Sequence, residues 1–168
     1  MTTSIKGKRV AFLATDGVEE VEYTKPREAV EAAGGTAELV SIKDDRIQAV
    51  NHMDKAGTYP VDRQVRDADA ERYDALVLPN GPDAVAALRA DGHTLEFIKD
   101  QYRHCKPILA LGASEQLLEA CGIGKALPDG QPDSGLLVSA DAATVADAFI
   151  GAIAKHRHFA RETDPPRV

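Results

Sequence analysis

The chain has 168 residues, 43% of them hydrophobic and 28% charged, which is the size and composition of one soluble globular domain. Its formal net charge of −7 argues against nucleic acid as a partner, because phosphate binding requires a basic surface. Two cysteines are too few for a disulfide scaffold. No apolar run approaches the ~20 residues of a membrane helix, and no signal peptide is recognisable. We therefore expect one cytoplasmic domain spanning residues 1–168.

Short apolar segments alternate with amphipathic ones from the amino terminus onwards. Val10–Ala14 is a continuous apolar run, which predicts a strand buried on both faces. The apolar spacing over Glu19–Ala33 predicts a helix, with Pro26 making its first turn irregular or restarting the helix at Thr24. Thr36–Ile42 is the next predicted strand, which completes a β-α-β unit.

The rest of the chain continues this alternation after a polar stretch over residues 43–70, which contains two weak strand-like pieces, Arg46–Val50 and Thr58–Val61. Strands alternating with helices require right-handed crossovers and a parallel sheet with helices on both faces. We expect residues 162–168 to form a loosely held tail. The further predicted strands and helices are, in chain order, Tyr73–Leu78, Pro82–Ala90, Thr94–His104, Pro107–Leu111, Ser114–Ala120, Gly135–Ser139 and Ala142–Lys155.

A functional site is expected beyond the carboxyl ends of the parallel strands, where ligands bind in open α/β sheets. In and around the loops at this edge stand the segments Asp16–Glu22, Pro26–Ala29, Val50–Lys55, Gly57–Asp62, Tyr73–Pro79 and Lys106–Pro107. In these segments the chain resembles the ThiJ/PfpI family of the class I glutamine amidotransferase-like superfamily. The resemblance covers about the first two-thirds of the chain, in order and at consistent spacing.

The resemblance implies a flavodoxin-like three-layer α/β/α sandwich with a mainly parallel sheet. Active members of this family carry a cysteine, usually followed by histidine and glycine, on a nucleophile elbow directly after the Lys-Pro strand. In this sequence the cysteine position falls on Gly112 and the histidine position on Ala113. The family's supporting glutamate is retained as Glu22. We therefore predict no catalytic residue and lean towards a protein that is not an enzyme.

The remnant of the family's site is predicted to be a vestigial pocket. Glycine at position 112 can keep the strained backbone of an elbow without a reactive side chain. Asn80 and Gly81 match the family's Gly-Gly oxyanion loop with the first glycine replaced, and we interpret them as a polar turn. Losing the cysteine and histidine side chains would enlarge the pocket. Its predicted residues are Glu22, Asn80, Gly81, Gly112, Ala113 and Ser114.

Several side chains near this pocket have a functional and a structural interpretation. Glu22 is either a carboxyl with a raised pKa in a half-buried pocket or a structural hydrogen-bonding group. Ser114 is interpreted as the N-cap of its helix and alternatively as a displaced nucleophile. Cys105 lies on the opposite side of the sheet from the pocket, and Cys121 is predicted to be a small buried hydrophobe. The pair Glu19–Glu20 is predicted to be a solvated face or to carry first-turn charges.

No cofactor and no metal ion is predicted. His52 and Asp54 supply only two candidate ligands, which fall short of a metal site, and the family resemblance implies a structural loop near subunit contacts there. No glycine-rich phosphate-binding sequence follows the first strand.

The last third of the chain resembles the carboxy-terminal domain of large-subunit catalases, a flavodoxin-like relative of ThiJ/PfpI. The features that carry this resemblance are Gly112, the short stretch Gly122–Asp133 and the closing segment Ala154–Arg161 with its Ala-His-Arg-x-aromatic-x-Arg-like pattern. We interpret the basic residues of Lys155–Arg161 as cations at a helix end, where the macrodipole favours them. Because 168 residues leave no room for a haem-binding core, we expect this domain to stand alone here.

The resemblance implies a non-catalytic domain with a stress-linked stabilising, assembly or chaperone-like role. We expect a homodimer, with a catalase or other stress proteins as candidate partners, and neither nucleic acid nor a membrane. Two alternatives stay open. One is a ThiJ/PfpI-type hydrolase (peptidase, amidase or deglycase) whose nucleophile is Ser114 or Cys105. The other is a small-molecule or partner-binding module that uses the vestigial pocket.

Overall fold

A computed structural model of the chain describes residues 3–124, 126–127, 129–139, 142–155, 157–159 and 161, with the backbone alone for residues 143 and 144. The predicted tail over residues 162–168 lies outside the described residues. The described strands are β1 Arg9–Leu13, β2 Thr36–Ser41, β3 Arg46–Asn51, β4 Asp54–Pro60, β5 Arg63–Gln64, β6 Ala75–Leu78, β7 Ile108–Leu111 and β8 Leu136–Ser139.

Six of these strands form one parallel sheet. Its strand order is β5-β2-β1-β6-β7-β8, and each neighbouring pair runs in the same direction. β1, β6 and β7 are buried on both faces because helices cover both sides of the sheet, which is why each is a continuous apolar run in the sequence. β5 has only two residues and was not predicted, since so short a strand has no detectable hydrophobic period.

Five helices cover the sheet in the described part of the chain. Helices α1 and α5 share a core with Val10 and Phe12 of β1, whereas α2, α3 and α4 pack with Ala11 and Leu13 on the other face. The flavodoxin-like α/β/α sandwich with its parallel sheet is therefore confirmed. None of these helices has the length and apolar character needed to cross a bilayer. Their bounds are α1 Glu20–Ala32, α2 Pro82–Arg89, α3 Gly92–Arg103, α4 Glu115–Ala120 and α5 Ala142–Ala154.

Helix α1 runs without interruption through Pro26, so the predicted irregular first turn or restart at Thr24 is wrong. Proline has no N–H to donate to the carbonyl four residues earlier, here that of Glu22. Pro26 is nevertheless buried between the helix and the core, as are Tyr23 and Val30 of the same face. Burial of this apolar face accounts for a continuous helix despite the missing backbone hydrogen bond.

Strands β3 and β4 form an antiparallel hairpin outside the main sheet, which confirms the two weak strand-like pieces of the polar stretch. The hairpin is attached to the loop between β1 and α1. The Gly17 N–H donates to the carbonyl of Gln48, and the Val50 N–H donates to the carbonyl of Val18, each over 2.9 Å. These bonds hold the hairpin at the carboxyl edge of the sheet.

The described residues after α5 fold back onto the amino end of β7. The His158 N–H donates to the Cys105 carbonyl over 2.7 Å, and the Arg161 guanidinium donates to the Lys106 carbonyl over 2.5 Å. Arg161 also forms an ion pair with Asp133 over 2.6 Å, in which both side chains are only 2% exposed. Its guanidinium carbon lies 4.6 Å from the centre of the Tyr102 ring.

The interpretation of Lys155–Arg161 as cations at a helix end is therefore wrong for His158 and Arg161, which are both buried. The His158 ring lies between two polar groups, with Nδ1 2.7 Å from the Ser134 hydroxyl oxygen and Nε2 2.9 Å from the Ala152 carbonyl oxygen. Because that carbonyl only accepts, Nε2 carries a proton. The closing pattern thus has a structural role in the fold.

Replacing Arg161 by Met should destabilise the protein by about 3–5 kcal/mol, because it leaves the Asp133 carboxylate buried without its partner. Equilibrium unfolding in urea measures this change. Arg157→Met is the matched control, since Arg157 is exposed and its replacement should change the free energy of unfolding by about 0.5 kcal/mol or less. Equal effects of the two substitutions would contradict a stabilising role for the buried pair.

Candidate functional site

Three loops meet at the carboxyl edge of the sheet, after β1, β6 and β7. The Glu19 N–H in the first loop donates to the Asn80 carbonyl in the second over 2.9 Å. The Ala113 N–H in the third loop donates to the Asn80 side-chain oxygen over 2.9 Å. The three loops singled out from the sequence are therefore in contact, because Asn80 in the loop after β6 is hydrogen-bonded to the loop after β1 and to the loop after β7.

Gly112 occupies the first position after β7, where the chain turns sharply into a short 3-10 turn and then into α4. Its φ angle is +57°, a left-handed conformation that glycine adopts without the steric penalty of a side chain. The predicted elbow backbone is thus present. Gly112 supplies no atom that could act as a nucleophile.

The Asn80 carboxamide lies directly against Gly112. Its Oδ1 accepts hydrogen bonds from the N–H groups of Gly81 and Ala113, both over 2.9 Å. A Cβ atom on residue 112 would lie 2.6 Å from Oδ1 and 2.6 Å from Nδ2 of this amide. The expected enlargement at the lost side chain is therefore wrong at this point, because the amide fills the space. Asn80 and Gly81 also do more than form a polar turn.

The backbone at Gly81 packs too tightly for any side chain. Its φ is +149°, and a Cβ there would lie 2.6 Å from the Gly17 carbonyl oxygen and 2.8 Å from the Val18 Cα. The Gly81 carbonyl in turn accepts from the Val85 N–H in α2 over 2.8 Å. This close approach fixes the position of the loop that carries Asn80.

Ser114 is fully buried and its hydroxyl is engaged in the fold. The hydroxyl oxygen accepts from the Leu111 N–H over 2.8 Å, and its one proton has two carbonyl acceptors, Leu78 at 2.7 Å and Leu111 at 2.8 Å. Ser114 stands at the N-cap position of α4 but makes no side-chain capping bond, so the capping interpretation holds for position only. Its burial and its bonds to β6 and β7 argue against the displaced-nucleophile alternative.

Glu22 lies half-buried in the first turn of α1, at the same edge of the sheet. A raised pKa for its carboxyl stays a prediction. Ala113 is half-buried beside Gly112 and presents only a methyl group. A vestigial pocket shared by Glu22, Gly112 and Ala113 stays a prediction.

Glu19 and Glu20 hold the β3–β4 hairpin, so their interpretation as a solvated face is wrong, whereas Glu20 does stand in the first turn of α1, as the alternative predicts. The Glu19 carboxylate accepts from the His52 N–H over 3.1 Å. The Glu20 carboxylate accepts from the Gly57 N–H over 2.7 Å and from the Tyr59 hydroxyl over 2.9 Å. Sequence reasoning missed this role because the partners of Glu20 lie 37 and 39 residues further along the chain.

Neither cysteine supplies a nucleophile to the elbow. Neither Cys105 nor Cys121 forms a disulfide bond in the described part of the chain. Cys105 is buried three residues before β7, at the amino end of that strand, whereas the elbow follows its carboxyl end. Burial raises the pKa of the Cys121 thiol to about 11, so it is protonated near neutral pH.

His52 occupies the tight turn between β3 and β4 with a φ of +59°, and Asp54 is the first residue of β4. Within the residues that the structure describes, no group of three or more His, Cys, Asp and Glu side chains could hold a metal ion.

The known proteins to which the chain is similar share the fold described above. The model of the DJ-1/PfpI family matches residues 8–127, which include the elbow. The catalase HPII of Mycobacterium avium is 32% identical over 169 aligned positions, which cover 96% of this chain and 24% of the catalase. The putative cysteine protease YraA of Bacillus subtilis is 34% identical over 113 residues, which cover 66% of this chain and 63% of that protein.

Solved structures show the same fold at low sequence identity. A two-domain protein from Anabaena variabilis with DJ-1/ThiJ/PfpI-like and ferritin-like domains has a TM-score of 0.76 at 19% identity, covering 86% of this chain and 47% of that one. Toxoplasma gondii DJ-1 has a TM-score of 0.69 at 18% identity, covering 86% of this chain and 87% of that one. The match to the M. avium catalase covers almost all of this chain, but the chain spans only about a quarter of the length of that catalase.

The contact between Glu20 and Tyr59 should be measurable as a perturbed phenol. Burial, with the hydrogen bond and charge of Glu20, raises the pKa of Tyr59 to about 12. Glu20→Gln should lower this pKa towards 10, whereas Glu19→Gln, whose carboxylate bonds to His52 instead, should leave it unchanged. Titration of the phenolate absorbance measures the shift, and Tyr59→Phe assigns the transition.

The sign of the accompanying stability change follows from the direction of the shift. The folded state favours the neutral phenol, so this contribution to stability is complete below pH 10 and is lost as the pH rises through about 12. An unchanged phenolate titration in Glu20→Gln would contradict the anchoring role of Glu20.

Proposed function

Because the chain belongs to the DJ-1/PfpI family, we propose that it is a non-catalytic member with a stress-linked stabilising, assembly or chaperone-like role. The observation that carries this proposal is the elbow itself. Position 112, where active members are expected to carry the nucleophile, is a glycine, and the Asn80 carboxamide fills the space above it. Nucleophilic catalysis requires a reactive atom at that point.

The neighbouring residues support the same proposal. Ala113 has no titratable group, and the buried Ser114 hydroxyl is bonded within the fold. A nucleophile also needs a base within hydrogen-bond reach, and the Leu111 and Leu78 groups around Ser114 are backbone amides and carbonyls. Cys105 and Cys121 belong to other parts of the molecule, before β7 and after α4.

The likeness to catalases supports the assembly part of the proposal. The chain is a ThiJ/PfpI domain similar to the carboxy-terminal region of catalases, and the match to the M. avium catalase covers 96% of it. We propose a catalase or another stress protein as the partner that it stabilises, and the cytoplasm as its location. Two cysteines outside any disulfide fit a reducing compartment.

A hydrolase is the second candidate, favoured by two relatives that are each similar over 66% of this chain. One is the putative cysteine protease YraA, and the other is protein/nucleic acid deglycase 2 of Escherichia coli, 30% identical over 113 residues. The third possibility, a ligand-binding module, needs the Asn80 carboxamide to leave its place above Gly112.

The purified protein should show no turnover of peptide, amide or glycated substrates above the blank. It should also carry no label at residues 112–114 after treatment with a serine-directed or a thiol-directed electrophile, as read by peptide mass spectrometry. Glu22→Gln is the matched variant, and it should give the same result as the unaltered protein. Turnover that is lost in Glu22→Gln, or a label on Ser114, would favour the hydrolase.

The homodimer that we propose involves α1 and the β3–β4 hairpin. Val21 on α1 is 55% exposed and Met53 at the hairpin turn is 97% exposed, so a partner that covered them would bury apolar surface. The bonds of Glu19 and Glu20 to the hairpin keep α1 and the hairpin side by side. We propose that the two side chains contribute to one dimer surface.

Sedimentation at micromolar concentration should give a dimer for the unaltered protein and a monomer for the double variant Val21→Glu/Met53→Glu. Phe159→Glu is the control, because Phe159 is 58% exposed but follows α5, away from the hairpin. A monomeric unaltered protein, or a dimer that persists in the double variant, would refute this surface.

A further inference from the structure

We propose that the Asn80 carboxamide is an internal ligand of two backbone N–H groups, that of Ala113 at the elbow and that of Gly81 in the neighbouring loop, so that the site is closed by this chain's own amide as well as deprived of a nucleophile. This inference rests on the proposed non-catalytic function and deepens it. It assigns to Asn80 the exclusion of substrate carbonyl groups from the elbow.

The hydrogen-bond geometry supports the comparison with a bound carbonyl group. Asn80 Oδ1 accepts from the N–H groups of Gly81 and Ala113, each over 2.9 Å, and these donors belong to two different loops. Two backbone N–H groups converging on one oxygen are the arrangement that stabilises the oxyanion in acyl transfer. The side-chain amide therefore satisfies the donors that a substrate amide would otherwise approach.

The steric geometry makes the amide and a side chain at position 112 mutually exclusive. A Cβ on residue 112 would lie 2.6 Å from both Oδ1 and Nδ2 of Asn80, closer than any non-bonded contact allows. A cysteine at position 112 consequently cannot enter the elbow while Asn80 stays in place. The two residues compete for a single volume.

The backbone around Asn80 keeps its amide where it is. The Asn80 carbonyl accepts from the Glu19 N–H over 2.9 Å, and Gly81 packs against the Gly17 carbonyl too closely to admit a Cβ. With the loop fixed from both sides, the carboxamide reaches the two N–H groups without rearrangement of the backbone. Displacing it costs two hydrogen bonds and leaves two donors to be satisfied by water.

The first test measures hydrogen exchange at the Ala113 amide by NMR. Asn80→Ala removes the acceptor and should speed this exchange at least about 10-fold, the loss expected when one hydrogen bond of about 1.4 kcal/mol is removed. Asn80→Asp retains an acceptor of the same shape and should keep the amide protected. Unchanged exchange in Asn80→Ala would overturn the proposal.

The second test compares Gly112→Cys with Gly112→Cys/Asn80→Ala. Each is treated with iodoacetamide, which forms a C–S bond at the thiolate, expels iodide and leaves the thiol proton in the buffer. The rate of alkylation at residue 112 should be at least about 10-fold higher in the double variant, and its melting temperature should exceed that of Gly112→Cys. Cys105 and Cys121 are reference thiols within the same chain.

The closure by Asn80 and the non-catalytic function are overturned by different results. Equal alkylation rates and equal melting temperatures of the single and double variants would overturn the closure by Asn80 and leave the non-catalytic function standing. Turnover by the unaltered protein would refute the non-catalytic function, whatever the variants show. If Gly112→Cys does not fold but the double variant does, the mutual exclusion is supported.

Discussion

The close approach of the backbones at Gly81 is the constraint on which the geometry of the carboxyl edge depends. With a Cβ position only 2.6 Å from the Gly17 carbonyl oxygen, the loop after β6 lies directly on the loop after β1. That contact brings the Asn80 carbonyl to the Glu19 N–H and its carboxamide to the Ala113 N–H. The loops after β1, β6 and β7 are thereby joined through one residue, and the hairpin is joined to the same edge through Gly17.

Much of the fold could be predicted from the sequence because a strand buried on both faces of a parallel sheet is a continuous run of apolar residues. Residues 10–13, 75–78 and 108–111 are continuous apolar runs, and each is a buried strand. The continuity of α1 through Pro26 could not be predicted, since the local rule against proline was outweighed by packing of the helix on the core. Local helix propensity determines the structure of a segment only where tertiary packing does not outweigh it.

In the candidate site, too, features set by local sequence could be predicted and features set by long-range contacts could not. The position of the elbow follows from a short motif, so Gly112 could be placed from the sequence alone. The role of Asn80 depends on its contact with a residue 33 positions away, and that of Glu20 on contacts 37 and 39 positions away. A usable signal did exist at Asn80: an amide side chain in a loop at the same edge of the sheet as an elbow without a side chain.

The closing segment shows why a run of basic residues is a weak indicator of a charged surface. The backbone carbonyls of Cys105 and Lys106 precede β7, and His158 and Arg161 supply donors to them. Asp133 neutralises the guanidinium in a site from which water is excluded. This part of the chain lies beyond residues 8–127, the span that the family model matches.

The contact between Asn80 and Gly112 also restricts the order in which the two positions can change during evolution. A side chain gained first at position 112 meets an occupied volume and destabilises the fold. A smaller residue gained first at position 80 gives up two hydrogen bonds and gains no reactivity in return. Under the function proposed above, either route to a side chain at position 112 passes through a less stable protein, so Asn80 opposes the gain of a nucleophile at the elbow.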